Sequence, residues 1–228
     1  MVCLKRRVLA GAAGVLGLCS SFIAAHADVT ISNKPTQNMS CDTGVCTATA
    51  QKAVLNVGEL EAMLATGDVV VETGSVARDI DLDRPLSWAS TSRLTLDAQR
   101  SVTIKKPVAV AGSGAVAIIY NDGASDGDLY FFSKGAVTFF DVASSLVING
   151  QTYTLAADLP ILASKMNVNQ NGFFALTSDY DAQQDKFKGS PIPVFKGHFE
   201  GLGHSIRSLK LRGGKHDALA CLAKQLLV

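Results

Sequence analysis

Arg93-Leu94-Thr95-Leu96-Asp97-Ala98-Gln99-Arg100-Ser101-Val102-Thr103-Ile104-Lys105-Lys106-Pro107-Val108-Ala109-Val110 is the stretch whose reading decides the fold. Leu94 and Leu96 alternate with Arg93, Thr95 and Asp97. Val102 and Ile104 alternate with Ser101, Thr103 and Lys105, and Val108 and Val110 follow at once. Successive side chains of a strand point to opposite faces, so this period of two puts the aliphatic set inside and the polar set outside. The pattern runs outward in both directions. Val69-Val70-Val71-Glu72 precedes it, and Ile80 and Leu82 alternate with Asp79, Asp81 and Asp83. Val116 and Ile118, Leu129 and Phe131, Val137 and Phe139, and Leu146 and Ile148 follow it. Gly112-Ser113-Gly114, Gly123 to Gly127 and Gly135 punctuate the series as turns.

Short strands with frequent turns suit a sandwich or a stacked solenoid. A sandwich needs antiparallel hairpins with tight two-residue loops. Asn149-Gly150 is the one clear loop of that kind between these strands. The expected fold is therefore all-β, a right-handed parallel β-helix with short capping helices. Leu60, Met63 and Leu64 share one face of a helix predicted over Val57 to Ala65, which would cover the open first coil. A second helix begins near Asp158, an acceptable N-cap, with Leu159, Ile161, Leu162 and Met166 on one face.

The chain opens on Lys5, Arg6 and Arg7, then an apolar stretch from Val8 to Ala25, then Ala25-His26-Ala27. Basic, apolar and small residues in that order predict a cleaved signal peptide over 1–27 and an exported chain. The competing reading is an uncleaved anchor. The expected organisation is a signal peptide over 1–27 and an N-terminal cap region with a cysteine pair over 28–68. The β-helix follows over 69–211, and an atypical tail over 212–228. In the tail Leu219, Leu222 and Leu226 make a helical stripe. With 21 basic and 20 acidic side chains overall, and three of the basic ones in the leader, the chain has no broad electrostatic claim on nucleic acid. Export means an oxidising compartment, so a Cys41–Cys46 disulfide is expected, with two free thiols as the alternative. Cys221 has no obvious partner.

Phe195-Lys196-Gly197-His198-Phe199-Glu200-Gly201-Leu202-Gly203-His204-Ser205-Ile206-Arg207-Ser208-Leu209 resembles the GLUG motif, a repeat in which G-x-F-x-G-x-G marks one turn of a β-solenoid. Its structural positions here are Gly197, Phe199, Gly201, Leu202, Gly203 and Ile206. Ile148 to Leu155, Tyr180-Asp181-Ala182, Pro85 to Trp88, Leu94 to Ala98 and Asn121-Asp122-Gly123 are similar to words of filamentous-haemagglutinin-like exoproteins of Gram-negative bacteria. The resemblance implies a secreted or cell-surface, adhesin-like β-solenoid. Its partners would be a glycan, matrix or cell-surface ligand and an outer-membrane secretion partner, with no nucleic acid and no cofactor. The alternatives are a polysaccharide-active enzyme on the same scaffold, or a fragment of a longer exoprotein. In the motif Phe199 and Leu202 are expected inward and His198 and Glu200 outward, with Gly201 as a backbone position that will not tolerate a side chain.

Three constellations have the residue types for chemistry. His198, Glu200 and His204 would hold zinc only if all three converged, and an exposed polar face is the simpler expectation. Asp79, Asp81 and Asp83 line one face of a strand, where acid/base or calcium chemistry competes with plain outward polarity. Asn121 to Asp128 has oxygen ligands and glycines, but its spacing reads as a turn. No catalytic and no metal residue is assigned.

Overall fold

The computed structural model describes residues 28–211. The expected signal peptide and the atypical tail lie outside the described residues. Within them the chain is mostly β-sheet, much of it parallel, with two α-helices.

Strand β1, Asp28–Ser32, comes first. β2, Met39–Asp42, and β3, Val45–Ala48, form an antiparallel hairpin whose tip, Thr43 and Gly44, has φ of 47° and 84°. These are the angles of the tight turns whose twist matches a hairpin. Cys41 stands opposite Cys46, and the two are disulfide-bonded. β4, Ala53–Asn56, runs into α1, Val57–Leu64. Asn56 caps α1: its side chain accepts the Gly58 and Glu59 amides at 2.9 and 3.2 Å. Leu60 and Leu64 of α1 are fully buried.

The next strands recur in threes: β5 (Val69–Glu72), β6 (Asp79–Leu82) and β7 (Leu86–Trp88); β8 (Arg93–Asp97), β9 (Val102–Ile104) and β10 (Pro107–Val110); β11 (Ala115–Ile119), β12 (Leu129–Phe131) and β13 (Ala136–Phe139). β14, Ser145–Ile148, opens a fourth pass. Each strand pairs in parallel with its equivalent one pass on. Sheet I is β4-β1-β6-β9-β12 and sheet III is β7-β10-β13. Sheet II contains β2-β3-β5-β8-β11-β14 and continues beyond. The register stacks Val69 on Leu94, Val116 and Leu146, Ile80 on Val102 and Leu129, and Leu86 on Val108 and Val137. Like aliphatic residues therefore fall in columns, and the three inner faces share one core. β1 sits inside sheet I, parallel to both β4 and β6, with Val29 and Ile31 fully buried.

The lower ends are covered. α1 lies along β7, where the Glu61 carboxylate accepts the Ser87 amide at 2.9 Å and Ser90 Oγ donates to Leu64 O at 2.5 Å. Gln37 exchanges backbone bonds with Val54 of β4 at 2.9 and 3.0 Å. Both contacts blunt edges that would otherwise invite pairing with another chain.

At Asn149 (φ 46°) and Gly150 (φ 76°) the chain reverses. β15, Gln151–Ala156, is antiparallel to β14. α2, Leu159–Val168, follows with Asp158 as N-cap, its carboxylate accepting the Ile161 amide at 2.7 Å. Next come β16 (Phe173–Leu176), β17 (Tyr180–Asp181), β18 (His198–Glu200) and β19 (Ile206–Arg207). β15, β16 and β18 run parallel to one another and complete sheet II. One uninterrupted parallel stack over 69–211 is thus corrected: the two-residue turn forces an antiparallel step at β14–β15. Beyond it both sheet faces are covered. Leu155 and Ala175 belong to the main core, whereas Ala156 and Phe174 pack with Leu159, Leu162 and Met166 of α2 in a second one.

Candidate functional site

The outward face of sheet I is where polar side chains gather around grooves. Its columns follow from the register: Asp28 beside Asp79, and Thr30 beside Asp81, Thr103 and Tyr130. One residue past the strand ends, backbone bonds continue the stacking, from Asp83 to Ile31, Lys105 to Leu82 and Phe132 to Ile104. Ser32, Asp83, Lys105 and Phe132 therefore form one further column, beyond which Asn33, Arg84, Lys106 and Ser133 lie in the bends and turns that leave the sheet.

Two grooves open on this face. The smaller, about 210 Å³, is lined by Asp28, Asp79, Asp81, Arg100, Ser101, Thr103 and Tyr130. The larger, about 520 Å³, lies at the other end of the strands. It is bordered by Lys34, Arg84, Lys105 and Lys106, with Thr30, Ser32, Asn33, Asp83, Phe132 and Ser133. Tyr130 on the outermost strand, β12, and Phe132 just past its end have ring centroids 6.0 Å apart and are 40% and 55% exposed.

The three aspartates predicted on one strand face do share it, and each is ion-paired. Arg100 donates to Asp79 through Nε at 2.8 Å and also through a guanidinium nitrogen, and the Ser101 amide donates to Asp79 at 3.0 Å. Burial alone would raise the Asp79 pKa, but the Arg100 and Ser101 hydrogen bonds and the Arg100 charge outweigh it and hold the carboxyl below its usual range. Lys105 Nζ bridges Asp81 at 2.7 Å and Asp83 at 3.1 Å. Burial would lower the Lys105 pKa, and those two carboxylates raise it. Among the described residues Lys34, Arg84 and Lys106 take part in no ion pair. Sequence reasoning missed this basic groove because its cations come from separate passes of the chain. The signal was present in Arg84 and Lys106, each two residues past the last inward aliphatic of its strand.

The GLUG-like stretch adds parallel strands, β18 on β16 and β19 on β17, and its turn also closes the main core. Leu202 (φ 53°) is fully buried in the main core, and its carbonyl accepts the Val137 amide at 3.0 Å. His204 Nε2 donates to Val137 O at 2.9 Å. Residues 202–204 thus cover the free edge of β13, together with Thr177, whose carbonyl accepts the Phe139 amide. Gly203 has φ 81°, and a Cβ there would lie 2.2 Å from Gly135 O. A Cβ on Gly197 would lie 2.1 Å from Gly172 O.

Gly201 departs from expectation. A Cβ there would meet only His204 O at 3.5 Å, so the positive φ and the crowding fall on Leu202 and Gly203. Phe199 is half-buried on the second core with Phe195, not on the core that holds Leu202, because its register sets it beside Phe174, which faces that core. Ile206 also packs there. Glu200 is not outward. It is half-buried on the main-core side, its carboxylate accepts the Leu202 amide at 3.3 Å, and burial and then Asp128 push its pKa up.

The zinc constellation disperses. His198 stacks on Phe173 at 4.8 Å, Glu200 engages Leu202 and His204 engages Val137. Among the described residues no group of three or more His, Cys, Asp or Glu is placed to hold a metal ion. Asn121 closes the 121–128 loop on itself, accepting the Gly127 amide at 2.7 Å and donating to Gly127 O at 2.9 Å. Sequence reasoning also missed a seam of Tyr120, Tyr153 and Glu200. Tyr153 is pushed up to about 12 by burial, then by the charges of Glu200 and Tyr120. Among the described residues no helix is long and apolar enough to cross a membrane. No protein-family model, curated protein or solved structure matches the chain.

Proposed function

We propose that this chain is an exported right-handed parallel β-helix acting as a non-enzymatic, adhesin-like binding protein, and that the outward face of sheet I is its glycan-binding surface. The recurring order of parallel strands in sheets I, II and III supports a β-helix over residues 69–148. The likeness of residues 195–209 to the GLUG motif of haemagglutinin-like exoproteins supports a surface location. The Cys41–Cys46 bond supports passage through an oxidising compartment.

The observation that carries the binding reading is the pair of grooves side by side on one sheet face, with hydroxyls, paired charges and two exposed rings. Aromatic rings offer an apolar platform for the C–H face of a sugar, and the polar columns offer donors and acceptors to its hydroxyls. Catalysis is the weaker reading. Asp79, Asp81 and Asp83 are all engaged by cations from the next strand. A general acid needs a carboxyl whose pKa is raised, and Asp79 is lowered.

The test is binding of the full exported chain to a panel of immobilised polysaccharides, with reducing ends assayed in the same wells. Binding without release of reducing ends is expected, and the double variant Tyr130→Ala, Phe132→Ala binds less. Release of reducing ends would overturn the non-enzymatic reading, and failure to bind any saccharide would overturn the glycan reading.

A further inference from the structure

We infer that the larger groove on sheet I is a site for a carboxylated, uronate-type polysaccharide, an inference that rests on the glycan reading above and names its ligand class. Lys34, Arg84, Lys105 and Lys106 border this groove against a single acid, Asp83. Lys105 is neutralised by Asp81 and Asp83, at 2.7 and 3.1 Å. Lys34, Arg84 and Lys106 are left with no ion pair among the described residues, around a space of about 520 Å³. That volume falls in the range of roughly 300–1,000 Å³ of small-ligand sites. Arg84 and Lys106 hold equivalent positions in the bends after β6 and β9, each two residues past the strand end, and both border the groove. A planar guanidinium matches a planar carboxylate through two parallel hydrogen bonds, and an adjacent ammonium adds charge without competing for that geometry.

The rest of the face selects the polymer. Thr30, Ser32, Asn33 and Ser133 supply neutral donors and acceptors, and Phe132 supplies an exposed ring. The same sheet face turns acidic at its other end, with Asp28, Asp79 and Asp81 against Arg100. A nucleic acid places a negative charge at roughly every 1.7 Å of duplex axis and would run its phosphates over those carboxylates. A polyuronate places one carboxylate on each sugar ring. It sets an anion among Lys34, Arg84 and Lys106 and turns hydroxyls, which donate to carboxylates, toward Asp81 and Asp79.

Isothermal titration of the full exported chain with polygalacturonate oligomers, a neutral glucan oligomer, dextran sulfate and single-stranded DNA tests the assignment. Polygalacturonate is expected to bind best, and to weaken as salt is raised. Arg84→Ala and Lys106→Ala should each weaken it by about tenfold or more. Lys188→Ala, exposed and outside the groove, should bind as the parent does. Arg84 and Lys188 are exposed and Lys106 is half-buried, so unchanged melting of each variant excludes misfolding as the cause. Equal or tighter binding of dextran sulfate or DNA would overturn the choice of a carboxylated saccharide. Polygalacturonate binding that survives both groove variants would overturn the site. Binding of the neutral glucan alone would overturn this inference and leave the glycan reading standing, whereas binding of no saccharide would overturn that reading itself.

Discussion

Gly203→Ala is the substitution to which the closure over β13 should be most sensitive. A Cβ at Gly203 would stand 2.2 Å from Gly135 O and 2.9 Å from the Ala136 Cα. Both are backbone atoms, so no neighbouring rotamer change relieves the contact. The φ of 81° is a second obstacle, because a left-handed conformation costs a residue with a Cβ about 1–2 kcal/mol. If the loop holds its place and the neighbours shift, the loss should be about 2 kcal/mol. If the loop lifts, Leu202 leaves the main core, which loses about 1.5–3 kcal/mol. The bonds of Leu202 O and His204 Nε2 to Val137 then break as well, at about 0.5–1.5 kcal/mol each. The expected range is therefore about 2–6 kcal/mol, or a melting temperature lower by about 4–24 °C for a chain of this size.

Gly201→Ala is the internal control. The added methyl meets only His204 O at an ordinary 3.5 Å, so stability should stay within about 0.5 kcal/mol of the parent. Trp88 is the only tryptophan and is buried, with Nε1 donating to Ser92 O at 3.0 Å. Its fluorescence therefore reports unfolding in both thermal and urea titrations. Equal losses at the two glycines, or a Gly203→Ala protein that melts with the parent, would refute the argument that residues 202–204 seal the core.

Two further outcomes follow from charge and redox chemistry. His204 is buried and its pKa is lowered, by burial first, against the opposing pull of the Val137 hydrogen bond and Asp179. Its stability contribution is thus complete above its ordinary value of 6.5 and falls away as pH drops through the lowered one. The melting temperature of the parent relative to His204→Gln should decline as pH is lowered from about 7.5 to 5, and a difference that does not change with pH would contradict the assignment. Reducing the Cys41–Cys46 bond should cost about 2 kcal/mol in the chain-entropy model, because the loop it closes is short. Melts with and without reductant measure that loss, and mass spectrometry of the alkylated protein that finds both thiols free would contradict the bond.

The inward columns were legible because a period of two and stacked register leave the same signature. Leu94, Val102, Val108, Val116, Val137 and Leu146 alternate in the sequence and lie in the main core. The start of α2 was legible from Asp158, whose side chain fills a backbone donor as predicted, whereas the Asn56 cap of α1 emerged only from the structure. β1 was less so, for Val29 and Ile31 come soon after the apolar run that ends at Ala25, and their alternation merges with it. Pairing between passes was not legible at all. Nothing in Asp79-Ile80-Asp81-Leu82-Asp83 says that Arg100 and Lys105 will stand one strand away, because that depends on the length of every turn between them. The basic groove was hidden for the same reason.

Glu200 shows how the missing half of the motif works. On β18 it shares a face with the column of Ala175 and Leu155, which belong to the main core. An unpaired carboxylate in that position would be costly. It is tolerated because its oxygen accepts the Leu202 amide at 3.3 Å, and because burial and the Asp128 charge raise its pKa and ease its neutralisation. The same bond holds Leu202 at a φ of 53°, the conformation that turns its side chain down into the core while its carbonyl meets Val137. The carboxylate that sequence alone assigns to solvent therefore supports the turn that closes sheet III, beside that turn's own bond from the His204 amide to Gly201 O at 2.9 Å.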